Sequence, residues 1–179
     1  EISPFKLPLR NGVVELHSDP FEGLAGVFSD SLPDGWGRLL FDRMMRSQRI
    51  SPSQISSLDR LTYVGLNGMG ALVYEPDSSP PIIQQFIDLD HLATQTEKIL
   101  EGASGEVITE LFALNGSSAG ARPKALIGVD QARKNISYGV NQLNDGFEHW
   151  LVKFPNVQDG TDSGAIEYVY ALMAKEAGL

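Results

Sequence analysis

Asn115-Gly116-Ser117-Ser118-Ala119-Gly120-Ala121-Arg122-Pro123-Lys124 runs directly into the apolar stretch Ala125-Leu126-Ile127, and this junction decides how the chain folds. Before it, apolar residues recur at helical spacing: Val107, Ile108, Leu111, Phe112 and Leu114, with Ser104 as a cap and Gly116 as the stop. After it the period shortens. Residues 125–129, 136–140 and 149–154 read as three strands, with Asp145-Gly146 as a turn. A helix followed by strands in succession predicts an α+β fold with an antiparallel sheet.

The junction itself is chemically suggestive. Small residues let backbone N–H groups approach an anion closely, and hydroxyls and a lysine add donors. It is neither a Walker A loop nor a GxGxxG loop. Read alone, a tight glycine-rich turn is its commoner meaning.

Outward along the chain, Trp150-Leu151-Val152-Lys153-Phe154-Pro155 sets a lysine in an apolar strand. A cation there is costly unless paired. Alternation puts Lys153 with Leu151 on one face and Val152 with Phe154 on the other. This is the layout of a kinase strand lysine that reaches nucleotide phosphates. An edge lysine pointing to water fits the spacing equally well. Asp162 or Ser163 opens the last helix, with Ile166, Val169, Tyr170, Met173, Ala174 and Ala177 on one side. Within it, Glu167 can pair with Lys153. Taken singly, it reads as a first-turn glutamate favouring the helix dipole. Loop, strand, lysine strand and glutamate helix, in that order, are the parts of a kinase N-lobe.

In the N-terminal half, residues 1–35 read as strands and turns. Residues 35–50 read as a helix with Trp36, Leu39, Leu40, Phe41 and Met44 on its apolar face, and residues 53–63 as a shorter one. Residues 71–76 suggest a strand. Asp77-Ser78-Ser79-Pro80-Pro81 is the best linker candidate. Asp90 is placed to cap a helix over 91–101.

The composition closes several routes. Cysteine is absent, so disulfides and thiolate metal sites are excluded, and His17, His91 and His149 have no ligand spacing. The net charge of −9 disfavours direct binding to nucleic acid. No apolar run approaches a membrane span. The chain begins at Glu1 rather than Met, which suits a piece of a longer product.

The letters carry a resemblance. Ser117–Lys124 followed by Ala125-Leu126 resembles the "GARPKA" signature of HipA-family serine/threonine kinases, the toxins of bacterial toxin–antitoxin pairs. Ser31-Leu32-Pro33-Asp34-Gly35-Trp36-Gly37 resembles the family's "LLPDG-x-GR" stretch. Leu7-Pro8-Leu9-Arg10 resembles "LPLR", and Gly65 to Leu72 a glycine-rich segment. Trp150 to Pro155, Ile166-Glu167-Tyr168 and Ala174 to Leu179 are similar to the family's segments downstream of that signature.

The resemblance implies a small N-terminal α/β subdomain over 1–80 and a protein-kinase-like N-lobe over 81–179. Ala119, Gly120, Ala121, Arg122, Pro123 and Lys124 would form the nucleotide loop, Lys153 the ATP-binding lysine and Glu167 its partner. Ser117 or Ser118 would be the autophosphorylated serine. It further implies ATP with Mg²⁺, a protein substrate, a HipB-like antitoxin, DNA contact only through that antitoxin, no membrane, and a cytoplasmic location. The catalytic Asp and the Mg²⁺ ligands belong to a helical C-lobe in the family, expected beyond Leu179, so these residues alone are expected to be inactive. The competing expectation is a non-catalytic module that binds an antitoxin or a separate kinase lobe.

Overall fold

The computed structural model describes residues 11–13, 15, 21–81, 87–102, 108–115, 119–138, 143–156 and 158–179. In chain order the elements are α1 (Gly26–Ser29), α2 (Gly35–Ser47), a 3₁₀ turn (Pro52–Gln54), α3 (Ser57–Val64), α4 (Leu89–Leu100), α5 (Ile108–Asn115), β1 (Lys124–Asp130), β2 (Ile136–Tyr138), β3 (Phe147–Lys153) and α6 (Ser163–Glu176). The fold class is α+β.

The three strands form one antiparallel sheet with β1 in the middle, in the order β2-β1-β3. Its register sets Ile127 opposite Trp150, Leu126 opposite Leu151 and Lys124 opposite Lys153. Because side chains alternate along a strand, the two opposed lysines share a face. Ala125, Ile127 and Phe154 point the other way, into the core.

That core is continuous. Trp36, Leu40, Phe41, Met44 and Met45 from α2 pack with Leu92 and Ile99 of α4, with Leu111, Phe112 and Leu114 of α5, and with the inner face of β1. Phe41 meets Phe112 with ring centroids 5.7 Å apart and Tyr63 at 5.2 Å edge-on. α2 is therefore held by the elements just before and after the glycine-rich junction, not only by its own neighbours in sequence.

Several boundaries differ from expectation. Residues 71–76 form no strand. Their backbone folds back on α3 instead, with Tyr74 N–H on the Gly65 carbonyl (3.0 Å) and Ser78 N–H on that of Thr62 (2.8 Å). No neighbouring strand offers a ladder there among the described residues. The helix expected from residue 53 begins at Ser57, because Ser56 and Asp59 form a reciprocal capping box. Asp88, not Asp90, caps α4: its carboxylate accepts from the backbone N–H groups of Asp90 (3.0 Å) and His91 (3.1 Å). The first 35 residues contain α1 and no strand among those described. β3 starts at Phe147, two residues earlier than expected, and Phe154 follows it with its N–H on the Pro123 carbonyl (2.9 Å). The expectations for Leu7 to Arg10, His17, Ser104, Val107, Gly116, Ser117, Ser118 and residues 139–140 lie outside the described residues.

Candidate functional site

Two groups of predicted residues form where β1 begins and β3 ends. The first surrounds Lys153. Its ammonium donates to Glu167 Oε2 at 2.8 Å, so strand β3 and helix α6 are tied by an ion pair. Glu167 Oε1 takes a second donor, Arg122 Nη1, at 3.0 Å, and Arg122 Nη2 reaches Asp159 Oδ1 at 2.8 Å. The other oxygen of Asp159 accepts the Asn156 backbone N–H at 2.8 Å. Arg122, Lys153, Asp159 and Glu167 line an open cleft of about 670 Å³ together with the end of α4.

Glu167 is the fifth residue of α6, and the first turn holds no acidic residue. The dipole reading of this glutamate fails on that count, because the effect falls off within the first turn. Its charge is matched by side chains instead. The hydrogen bond from Lys153, then the charges of Lys153 and Arg122, hold its carboxyl below the usual 4.5. Lys153 and Glu167 keep 47% and 45% of their side-chain surface exposed. A pair this wet adds little to stability; it fixes where an accessible ammonium sits.

The second group surrounds Lys124, which is buried at 4% exposure. Its ammonium donates to the Ala119 carbonyl, curling the loop back over the strand it precedes. Burial is the main cause of a Lys124 pKa below 10.5; Asp34 opposes the shift and the facing Lys153 adds to it. Like charges directly opposite across a strand pair repel. Here each has its own acceptor, a carbonyl for Lys124 and a carboxylate for Lys153.

Gly120 sits in the left-handed half of backbone space, at φ +110°. Its N–H donates to Asp34 Oδ1 (2.9 Å) and its carbonyl accepts from the Trp36 N–H (3.1 Å). Ala119 lines a smaller cleft of about 290 Å³ together with Asp34 and Arg38. Ala121 is exposed, and Pro123 is buried with its carbonyl on Phe154.

The structure therefore brings Arg122, Lys153 and Glu167 together, and sets Ala119, Gly120 and Lys124 beside them in a separate hydrogen-bonded group. Asp34 and Asp159 join these groups. In the sequence Asp34 stands only as part of a motif. The motif around Asp34 matters here because it occurs in a recognisable domain: residues 1–75 match the family model described as the HipA N-terminal domain.

No curated protein and no solved structure matches the chain. The segment that matches this model thus supplies, through Asp34 and Trp36, two hydrogen bonds to Gly120. Among the described residues no group of three or more His, Asp or Glu side chains is arranged to hold a metal ion. Among them, too, no helix is long and apolar enough to cross a membrane.

Proposed function

We propose that the chain is the nucleotide-gripping part of a HipA-like toxin kinase, one that transfers a phosphoryl group to serine or threonine of a protein substrate. The observation that carries this reading is the accessible Lys153 ammonium, held 2.8 Å from Glu167 at the edge of a large cleft. A strand lysine steadied by a helix carboxylate is what productive nucleotide geometry needs in kinases. A second ammonium on the same sheet face, that of Lys124, adds positive potential beside it.

The cleft offers a polyphosphate the Lys153 and Arg122 cations, beside the carboxylates of Glu97, Glu101, Asp159 and Glu167. Lys153 would offset phosphate charge and Glu167 would keep its ammonium in place, while Ala119–Lys124 is the nucleotide loop that the family resemblance implies. Mg–ATP, when bound, supplies the transferable phosphoryl group. Mg²⁺ ligands are expected in the family's C-lobe rather than among these residues. The net charge of −9 disfavours direct contact with DNA; the family resemblance implies contact through a HipB-like antitoxin, in the cytoplasm. Phosphorylation of Ser117 or Ser118 would add roughly −1.5 to −2 charges to a loop suited to phosphate, and so weaken nucleotide binding.

Titration of Mg–ATP into the wild-type chain and into Lys153→Ala tests the reading. Wild-type binding with a loss of about tenfold or more in the variant supports it, as expected for removal of a charged hydrogen bond. Equal affinity for the two would overturn it. A second reading, a non-catalytic module for an antitoxin or separate kinase lobe, is favoured by one observation: Tyr168, Val169, Leu172 and Met173 of α6 are exposed.

A further inference from the structure

We infer that the Asp34-Gly35-Trp36 turn of the HipA N-terminal domain anchors the glycine-rich loop in position, with Asp34 a positioning residue for the anion that the loop receives. This rests on the proposed role of that loop in gripping phosphate.

Four observations converge. First, the two hydrogen-bonding groups of a single residue, the N–H and carbonyl of Gly120, are both taken by this turn, 86 residues away along the chain from Asp34. A lone carboxylate resting on a loop amide would need only the first of these bonds. The return bond from the Trp36 N–H fixes the orientation of the whole peptide unit. Second, Asp34 stands at the N-cap of α2, where an aspartate ordinarily accepts from the helix's own first N–H groups. Its side chain makes no such bond and is given to Gly120 instead.

Third, the surfaces fit closely. A Cβ built on Gly35 would lie 2.6 Å from the Gly120 carbonyl oxygen and 2.8 Å from Ala121 Cα, so the contact exists only with a glycine there. Fourth, the turn is immobilised from behind. Trp36 is 1% exposed and belongs to the core that also contains Leu111, Leu114 and Ala125, which flank the loop on either side. Loop and anchor are thus parts of one packed body. The negative charge of Asp34 also lies near the buried Lys124 ammonium, whose bond to Ala119 closes the other side of the loop.

The consequence is that phosphate affinity depends on the N-terminal domain without that domain touching the phosphate. Asp34→Ser keeps a residue type favoured at a helix N-cap but is too short to reach Gly120. Asp34→Asn keeps an oxygen acceptor at the same distance. Amide hydrogen exchange of the intact chain reports the anchor directly at Gly120, with Ile127 in the core strand as a folding control.

In Asp34→Ser, exchange at Gly120 should quicken about tenfold or more while Ile127 is unchanged. Mg–ATP affinity should fall by a similar factor, and Asp34→Asn should recover most of both. Unaltered Gly120 exchange in Asp34→Ser would overturn the inference. So would tighter Mg–ATP binding, which would make the carboxylate a competitor for the loop. If the wild-type chain binds no nucleotide, the proposed function fails while the exchange result still decides the anchor.

Discussion

Replacing Gly35 with alanine probes the contact between α2 and the loop with a single methyl group. Gly35 lies at φ +41°, where an L-residue pays roughly 1–2 kcal/mol. The added Cβ also lands 2.6 Å from the Gly120 carbonyl oxygen, a backbone atom with no rotamer to escape through. Restoring ordinary contact requires the loop peptide to retreat by roughly half an ångström or more, given carbon–oxygen contact distances near 3.2 Å. That retreat strains two hydrogen bonds, Gly120 N–H to Asp34 at 2.9 Å and Trp36 N–H to Gly120 at 3.1 Å.

Each such bond is worth about 0.5–1.5 kcal/mol net. The expected destabilisation is therefore about 2–5 kcal/mol by urea unfolding. Gly23→Ala is the matched control. Its φ is +84° with nothing within 4 Å of the new Cβ, so it carries the backbone penalty alone. Gly35→Ala should exceed it by about 1–3 kcal/mol, the worth of the two strained bonds. If the two substitutions cost the same, the close fit between turn and loop has no energetic meaning.

Two further outcomes stem from the buried groups. Lys124→Met should raise stability most near neutral pH and least as pH approaches 10.5, because the folded ammonium releases its proton below that value. The unfolded chain then binds more protons within that window, so wild-type stability climbs with pH there. Urea midpoints between pH 7 and 10 measure the difference, and a pH-independent offset would contradict the burial of this charge. Leu111→Ala, at a fully buried site between α2 and the sheet, should cost about 2–5 kcal/mol in the same assay.

Much of the sheet and of the Lys153 group was legible because both are local or periodic. Alternation alone assigns Lys153 to the face opposite Phe154, and the connection after β3 is short enough to bring Glu167 back to it. The α2 helix was legible for the same reason, from apolar spacing. What escaped was long-range or competitive. No pattern announces that Asp34 will abandon its own helix N-terminus for an amide 86 residues away. Residues 71–76 carry strand-forming letters, yet their backbone bonds go to α3. Propensity yields there to the nearest available acceptors. The family resemblance places Arg122 in a nucleotide loop. It is engaged by Asp159 and Glu167, a partnership visible only once β3 and α6 have folded round it.

The buried face of α2 has a consequence for heredity as well as for mechanics. Trp36, Leu40, Phe41, Met44 and Met45 lie in the segment that matches the HipA N-terminal domain model, yet they pack with residues of α4, α5 and β1. A lineage could not transplant residues 1–75 onto a new host by recombination at the proline-rich joint alone. The recipient would have to offer a matching apolar seat, or the graft would arrive with its largest side chains bare.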